Sequence, residues 1–378
     1  MDLHTLYPGL DDLKRRARAR LPHFVWEYLD SATGAETTKA RNRAQLDEIL
    51  MRPSILHGPL DHDLSTRLMG AEWALPIGVA PVGMSGLVWP EAEILLARNA
   101  ARANIPYCLS TVACKTPEQV GRHAQGRGWF QLYPPKDPEI RRDMVRRARD
   151  AGFDTLVLTV DLPAPSRRER QTRSGITQPP RLTPRLLTQI ARRPHWALAT
   201  AMNGRPRMPT IAKYADDTPG MAPTEHIGYI LRTSPDWEYL RWLRDNWQGA
   251  FVVKGVLNPQ DATALEAEGV DGIWVSNHAG RQFDAAPASI EVLPAIRAAT
   301  TLPIIFDSGV GGGLDVLRAV ALGADMVMMG RAWHYALAAL GRDGPRHLTE
   351  MFERDIIANM GQVGATRLAE VADRLIRA

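Results

Sequence analysis

The sequence predicts an α/β protein built as a (β/α)8 TIM barrel. Eight short apolar runs recur along the chain, and most are followed by a charged, alanine-rich stretch with helical spacing. The runs are near-continuously apolar rather than alternating, as expected of parallel strands buried on both faces. Repeated strand–helix units also occur in a doubly wound sheet, but that fold rarely needs eight of them. With 378 residues, 45% of them hydrophobic, the chain has ample material for one large core. Residues 1–378 therefore read as one barrel domain with an N-terminal helical segment and a long insertion after strand 4.

The predicted strands are "LPIGVAPV" (75–82), "YCLSTVA" (107–113), "WFQLYP" (129–134) and "TLVLTVDLP" (155–163), then "FVVKGVL" (251–257), "GIWVSNH" (272–278), "PIIFDSGV" (303–310) and "MVMMGRA" (326–332). Helix-like segments separate them, among them "PEAEILLARNAARAN", "PEQVGRHAQ", "PEIRRDMVRRARDAG", "PQDATALEAEG", "SIEVLPAIRAAT" and "GGLDVLRAVALGA". Proline or serine opens several and glycine or asparagine closes several, as start and stop signals should. The first 50 residues carry helical patterns and are expected to cover one end of the barrel.

The spacing breaks once, between Pro163 and Phe251. Residues 164–235 read as an insertion over the C-terminal mouth, with "PRLLTQIARR" as a helix, and "DWEYLRWLRDNW" as the delayed helix before the fifth strand. From Arg167 to Arg207 there are ten arginines against one acid, Glu169. Such a block suits phosphates, acidic substrates or an anionic membrane surface, and equally a solvated or mobile lid. Contact with a membrane through 167–213 is one expectation; a nucleic-acid partner is not expected. No run of about 18 apolar residues exists to span a bilayer, and the N-terminal stretch lacks the apolar core of a signal peptide. A cytoplasmic protein, peripheral on the inner face of the cell membrane, fits these features. Cys108 and Cys114 have no metal or disulfide spacing, and no metal site is expected.

In a barrel the reactive groups stand where strands end and the following loops begin. Those ends carry Pro81, Val82 and Gly83, then Ser110, Gln131 and Tyr133, Thr159 and Asp161, Lys254, Ser276 and His278, Asp307, Ser308 and Gly309, and Gly330 with Arg331. Any one alone reads as a satisfied loop residue; together they suggest a large ligand across the mouth. The glycine-rich "DSGVGGGLDV" enters a helix, where backbone N–H groups can hold a phosphate with Arg331 as countercharge. No G-x-G-x-x-G follows an early strand, which argues against a Rossmann dinucleotide site.

The motifs "VKGV", "SNHAGRQFD", "FDSGV" and "LGADMVMMGRA", together with "EYLDSATGAE", "APVGM", "LSTVA", "FQLY" and "LTVDLP", occur in order from about Leu21 to Ala365. In this the chain resembles the FMN-dependent L-2-hydroxy acid dehydrogenase and oxidase family, which includes flavin-type lactate dehydrogenase, mandelate dehydrogenase and glycolate oxidase. The resemblance implies FMN as cofactor, a 2-hydroxy acid as substrate and a homo-oligomer, a tetramer. It implies His278 as the base that takes a substrate proton while two electrons go to the flavin, a role that suits a side chain titrating near neutrality. It makes Asp161 the partner of that imidazole. Arg281 and Arg168 become the clamps on the substrate carboxylate, with Arg167 and Arg170 as rivals for the second place. Tyr28 and Tyr133 line the pocket. Lys254 stands by the flavin edge where reduction builds negative charge. Ser110, Gln131, Thr159 and Ser276 bond the ring or ribityl chain; Asp307, Gly309, Gly311, Gly330 and Arg331 hold ribityl and phosphate. Pro81, Val82 and Gly83 also belong to the cofactor site.

Two positions depart from the family pattern. Ala279 replaces a glycine beside the base, and an alanine is disfavoured there if the position needs positive φ. Gly311 replaces an arginine, which removes one phosphate countercharge. Gly83 stands where many oxidases of the family carry alanine, which tilts the reading toward a dehydrogenase passing electrons to a quinone or another carrier. An oxidase that makes hydrogen peroxide from O2 and a tailoring enzyme acting on a larger hydroxy acid metabolite or peptide are the alternatives.

Overall fold

In the computed structural model the eight runs close into a barrel. The structure describes residues 2–164, 166–176, 182–215 and 233–376, so the stretches 177–181 and 216–232 of the expected insertion lie outside the described residues. The barrel strands are β1 (Ile77–Val79), β2 (Tyr107–Ser110), β3 (Gly128–Leu132), β4 (Phe153–Thr159), β5 (Ala250–Val256), β6 (Gly272–Val275), β7 (Ile304–Phe306) and β8 (Met326–Met329). Every barrel pair is parallel. β8 returns to β1 through Val327–Ile77, Met328–Gly78 and Met329–Val79, which closes the sheet and leaves no edge.

Most strands are shorter than the apolar runs at their C-terminal ends. The last residues of those runs leave the ladder and form the mouth. The helices follow the predicted segments to within three residues: Ala92–Ala103, Pro117–Ala124, Pro138–Asp150, Trp237–Asn246, Pro259–Ala267, Ser289–Ala299 and Gly313–Ala321. Side-chain caps set several starts. Asp137 accepts from the Glu139 N–H at 2.8 Å, and Asp236 from the Tyr239 N–H at 2.8 Å, caps worth about 1 kcal/mol each. Arg331–Leu340 and the long helix Gly344–Val363 complete the outer layer and were not among the segments picked from sequence.

Two apolar layers result. The helices pack on the outward faces of the strands. Inside, Cys108, Trp129, Val157, Val252, Trp274 and Ile305 form part of a separate buried cluster. An antiparallel hairpin, Thr66–Leu68 with Ala71–Trp73, adds Leu68 and Trp73 to this inner cluster. It plugs the N-terminal end: a Cβ on Gly272, the first residue of β6, would lie 2.1 Å from Met69 Cε. The helices of the first 50 residues serve the opposite end. His23–Asp30 brings Tyr28 to the mouth, and Thr37–Asp47 packs against the turn after β6.

Candidate active site

Strand periodicity places the polar residues. Side chains two apart share a face of the sheet. Continuing each inward-facing series by two residues leads from Cys108 to Ser110, Trp129 to Gln131, Val157 to Thr159 and Val252 to Lys254. The same step leads from Trp274 to Ser276, Ile305 to Asp307 and Met328 to Gly330. The polar strand ends are thus the top layer of the barrel interior. Above them lies a cavity of about 1840 Å³. Its wall includes Pro81, Val82, Gly83, Tyr28 and Tyr133, and also Lys254, His278, Arg281, Arg168 and Arg331.

The turn after β6 carries His278 in an unusual backbone. His278 (φ 54°), Ala279 (φ 54°, ψ 38°) and Gly280 (φ 74°) are all left-handed. A residue with a Cβ loses on the order of 1–2 kcal/mol in that region. Ala279 therefore occupies the positive-φ conformation for which a glycine is suited. The Asn277 side chain accepts from the Gly280 N–H at 3.3 Å and helps hold the turn.

His278 Nδ1 lies 3.2 and 3.1 Å from the two carboxylate oxygens of Asp161. Asp161 can only accept when ionised, so the proton belongs on Nδ1 and the lone pair on Nε2. Burial holds the His278 pKa below its ordinary value, against the opposite pull of Asp161. For Asp161, burial acts to raise the pKa, but His278 and then Lys254 outweigh it and keep it low. The pair at neutral pH is a neutral imidazole on a carboxylate. Gly255 makes room for it: at φ 107°, a Cβ there would stand 2.7 Å from Asp161 Cβ and 2.8 Å from Cγ.

Arg281 is anchored at one end. Nη1 donates to the carbonyls of Leu29 (3.1 Å) and Ser31 (2.8 Å), and Nη2 to that of Tyr28 (2.9 Å). Of five guanidinium N–H groups, this leaves the Nε–H and one Nη2–H, the side-on pair that matches a carboxylate. Burial first, then the nearby Arg168 and Arg331, push the Arg281 pKa down to about 9, so it is still charged at neutral pH. Arg168 Nε donates to Ser166 Oγ at 3.0 Å and its side chain reaches the same cavity. Of the two rivals, Arg170 is held away by carboxylates, while Arg167 also borders the cavity. Arg170 pairs with Glu27 (2.7 Å), Asp30 (3.2 Å) and Glu36 (2.9 Å), which ties the insertion to the N-terminal helices. The Arg167 side chain is 87% exposed. Tyr28 OH donates to the Gly83 carbonyl at 2.7 Å, and burial raises the pKa of both Tyr28 and Tyr133.

The barrel floor of the cavity has a cation and two orphaned polar atoms. Lys254 is 4% exposed; its Nζ donates to Ser276 Oγ at 2.7 Å and pairs with Asp307 at 3.1 Å. Gln131 Nε2 and Thr159 Oγ1 are buried with no protein partner. An unsatisfied buried donor costs about 1–3 kcal/mol, so these atoms call for a polar ligand. With Lys254 they stand at the ends of three successive strands, Gln131 on β3, Thr159 on β4 and Lys254 on β5, as a polar heteroaromatic ring edge requires. Ser110 instead donates to Gln131 Oε1 at 3.1 Å.

The phosphate end departs from expectation in two ways. Two N–H groups of the glycine-rich loop have protein partners: Gly311 N–H donates to Asp315 at 2.8 Å, and Gly313 N–H to Asp355. Arg43 and Arg318 complete a salt-bridge cluster on Asp315. These carboxylates occupy the helix start that would otherwise attract a phosphate. Asp307, expected on ribityl hydroxyls, accepts instead from Trp274, Ser276 and Ser308 and pairs with Lys254. Gly309, Val310 and Gly311 line the cavity, together with Gly330 and Arg331 at the start of helix Arg331–Leu340. Arg331 Nη2 donates to the Ala279 carbonyl at 2.6 Å, and its buried Nε has no partner. One helix start and one arginine suit a phosphate at the rim. The orphaned floor atoms, the buried lysine and this rim together fit FMN.

Residues 17–378 match the FMN-dependent dehydrogenase family. The chain belongs to that family. Relatives that span almost its whole length bear this out. The L-lactate dehydrogenase of Ectopseudomonas mendocina (strain ymp) is 40% identical over 371 residues, covering 97% of each chain. That of Xanthomonas euvesicatoria pv. vesicatoria (strain 85-10) is 40% identical over 373 residues, covering 97% of this chain and 95% of its own. Among solved structures, a monotopic membrane protein, (S)-mandelate dehydrogenase, superposes with a TM-score of 0.92 at 32% identity, covering 98% of this chain and 99% of its own. Mandelate oxidase gives 0.82 at 33%, covering 98% of both. FMN is the cofactor of the family, and the barrel is its fold.

Two features of the site escaped the sequence reading. Asp315 stands within the quoted "DSGVGGGLDV" and its claim on the Gly311 N–H was not read, while Asp355 comes from a helix some forty residues on, beyond any local pattern. Ser308 lies inside the quoted "FDSGV" and has φ 97°, a value rare outside glycine. A serine between an aspartate and a glycine was the available signal.

Proposed function

We propose that this protein oxidises an L-2-hydroxy acid to the 2-oxo acid and passes the electrons on to a quinone or another carrier. The His278–Asp161 pair facing the same cavity as the open edge of Arg281 carries the reading. The substrate carboxylate docks side-on against Arg281, with Arg168 as the second cation and Tyr28 and Tyr133 beside it. The hydroxyl then meets Nε2 of His278, the nitrogen left without a proton. His278 takes the hydroxyl proton, and Asp161 stabilises the imidazolium that forms. FMN, when bound, would take the substrate's α-hydrogen together with its two electrons, as a hydride. Lys254 supplies positive charge at the floor, where the floor atoms would hold the ring.

The dehydrogenase form is favoured by Gly83, by the two lactate dehydrogenases at 40% identity, and by the better superposition on mandelate dehydrogenase than on mandelate oxidase. A membrane-borne acceptor accords with the insertion (164–235) as a cover that rests on a membrane surface. Helices Pro184–Ala191 and Pro194–Asn203 expose Leu187 (51%), Leu198 (65%) and Met202 (78%) beside Arg185, Arg192 and Arg193. Apolar side chains among arginines suit shallow insertion into an anionic interface. Among the described residues no helix is long and apolar enough to cross a membrane. A homotetramer completes the reading and is measurable by light scattering.

Anaerobic mixing of the FMN-loaded protein with L-lactate, L-mandelate and longer L-2-hydroxy acids tests it. At least one should bleach the flavin, and His278→Gln should retain FMN but not bleach. Equal bleaching by His278→Gln would remove His278 from the reaction. Slow reoxidation by O2 and fast reoxidation by a quinone analogue mark a dehydrogenase; the reverse marks an oxidase.

A further inference from the structure

Consecutive backbone N–H groups at the reactive histidine end on two serines that share one carboxylate oxygen. The His278 N–H donates to Ser276 Oγ at 3.0 Å, and the Ala279 N–H to Ser308 Oγ at 3.0 Å. Both hydroxyls donate in turn to Asp307 Oδ1, Ser276 at 2.6 Å and Ser308 at 2.8 Å. The hydroxyl directions follow from chemistry. An ionised carboxylate only accepts, so both protons point at Asp307 and the lone pairs face the two amides. The other oxygen of Asp307 takes Trp274 Nε1 at 2.9 Å and Lys254 Nζ at 3.1 Å, so the carboxylate itself is fixed. Ser276, Asp307 and Ser308 are buried.

We propose that Ser308 is a positioning residue for His278, acting through the Ala279 peptide. Ser308 holds the N–H of that peptide's residue and Arg331 holds its carbonyl. The brace keeps an alanine in a left-handed conformation that glycine adopts freely. Because Ala279 follows His278 directly, the same brace fixes the imidazole toward Asp161. Ser276 alone holds one amide and leaves Ala279 free to relax toward negative φ. This inference rests on His278 as the base.

Four chains test it: wild type, Ser308→Ala, Ala279→Gly and the double variant. Ser308→Ala keeps the Cβ and its backbone cost, so only the hydroxyl is lost. Anaerobic flavin reduction is followed across pH, with whichever of L-lactate and L-mandelate bleaches faster, and thermal midpoints are recorded alongside. Ser308→Ala should keep FMN, slow reduction about 10- to 100-fold, and shift the kinetic pKa down as His278 loses Asp161. Its thermal midpoint should fall. The double variant should reduce within about threefold of Ala279→Gly, with the same midpoint, because glycine needs no brace. Wild-type rate and kinetic pKa in Ser308→Ala overturn the proposal. So does a double variant as far below Ala279→Gly as Ser308→Ala is below wild type. If Ser308→Ala does not fold, Ala279→Gly against the double variant decides alone. Full activity in His278→Gln sinks the base assignment instead, an outcome distinct from an inert His278→Gln beside an unaffected Ser308→Ala.

Discussion

His278 Nδ1 stands 3.1 Å from Asp161 Oδ2, and a glycine at position 255 is what lets the aspartate come that close. Burial depresses the His278 pKa while Asp161 supports it, so the imidazole is neutral at pH 7 and ready to accept a proton.

That balance has a direction in pH. The neutral imidazole is the active form, so flavin reduction should slow as pH falls through a pKa below the ordinary histidine value of about 6.5. Asp161→Asn removes the charge that raises this pKa. Its inflection should move lower still, and its rate at pH 7 should fall by roughly 10²–10⁴. Stopped-flow reduction from pH 4.5 to 8 measures both; an unmoved inflection would separate Asp161 from the base.

Gly255→Ala should disturb chemistry and stability together. The new Cβ meets Asp161 at 2.7 Å and the φ of 107° is itself unfavourable. A loss of about 1–3 kcal/mol is expected, with slower flavin reduction. Gly126→Ala is the control: φ is 72° but nothing lies within 4 Å of its Cβ. It should lose only about 1 kcal/mol and leave the rate unchanged. Denaturant melts and reduction rates of both variants check this.

Cofactor affinity should respond to charge at the rim. A Cβ on Gly311 meets only ordinary contacts, 3.5 Å from Arg43 and Asp315, so Gly311→Arg is accommodated. It should tighten FMN binding by about tenfold, the worth of one charge-assisted hydrogen bond. Arg331→Leu should weaken it by at least as much. Fluorescence titration of FMN into stripped protein reads both. No gain in Gly311→Arg would mean that Asp315 neutralises the added cation.

The membrane reading predicts that Leu187→Ser with Leu198→Ser releases the protein from vesicles containing anionic lipid. Both side chains are more than half exposed, so folding should be unaffected. Sedimentation with such vesicles, wild type against the pair, is the measurement. Equal pelleting would leave the insertion as a cover only.

Much of this site was legible before any coordinates. Inward-facing residues of parallel strands recur every two positions, so polar groups at the ends of apolar runs marked the barrel mouth. The polar ends from Ser110 to Asp307 were found by that rule. Arg168 could not be separated from Arg167 and Arg170 locally. Three-dimensional pairing removes Arg170, because Glu27, Asp30 and Glu36 claim it. The glycine-rich loop was only partly legible for a related reason. Its free N–H groups looked available for phosphate, yet Asp355 reaches one of them from a helix some forty residues on.

The sequence by itself determined the barrel and the FMN family, and it singled out the side chains proposed to react. These depend on periodicity and on motif chemistry, both of which are local. Only the tertiary structure decided which donors are open and which are taken: the side-on edge of Arg281, Gln131 Nε2 and Thr159 Oγ1 are open, while the His278 and Ala279 amides are held by Ser276 and Ser308. Availability is the remainder after all partners are counted, and those partners lie on distant parts of the chain.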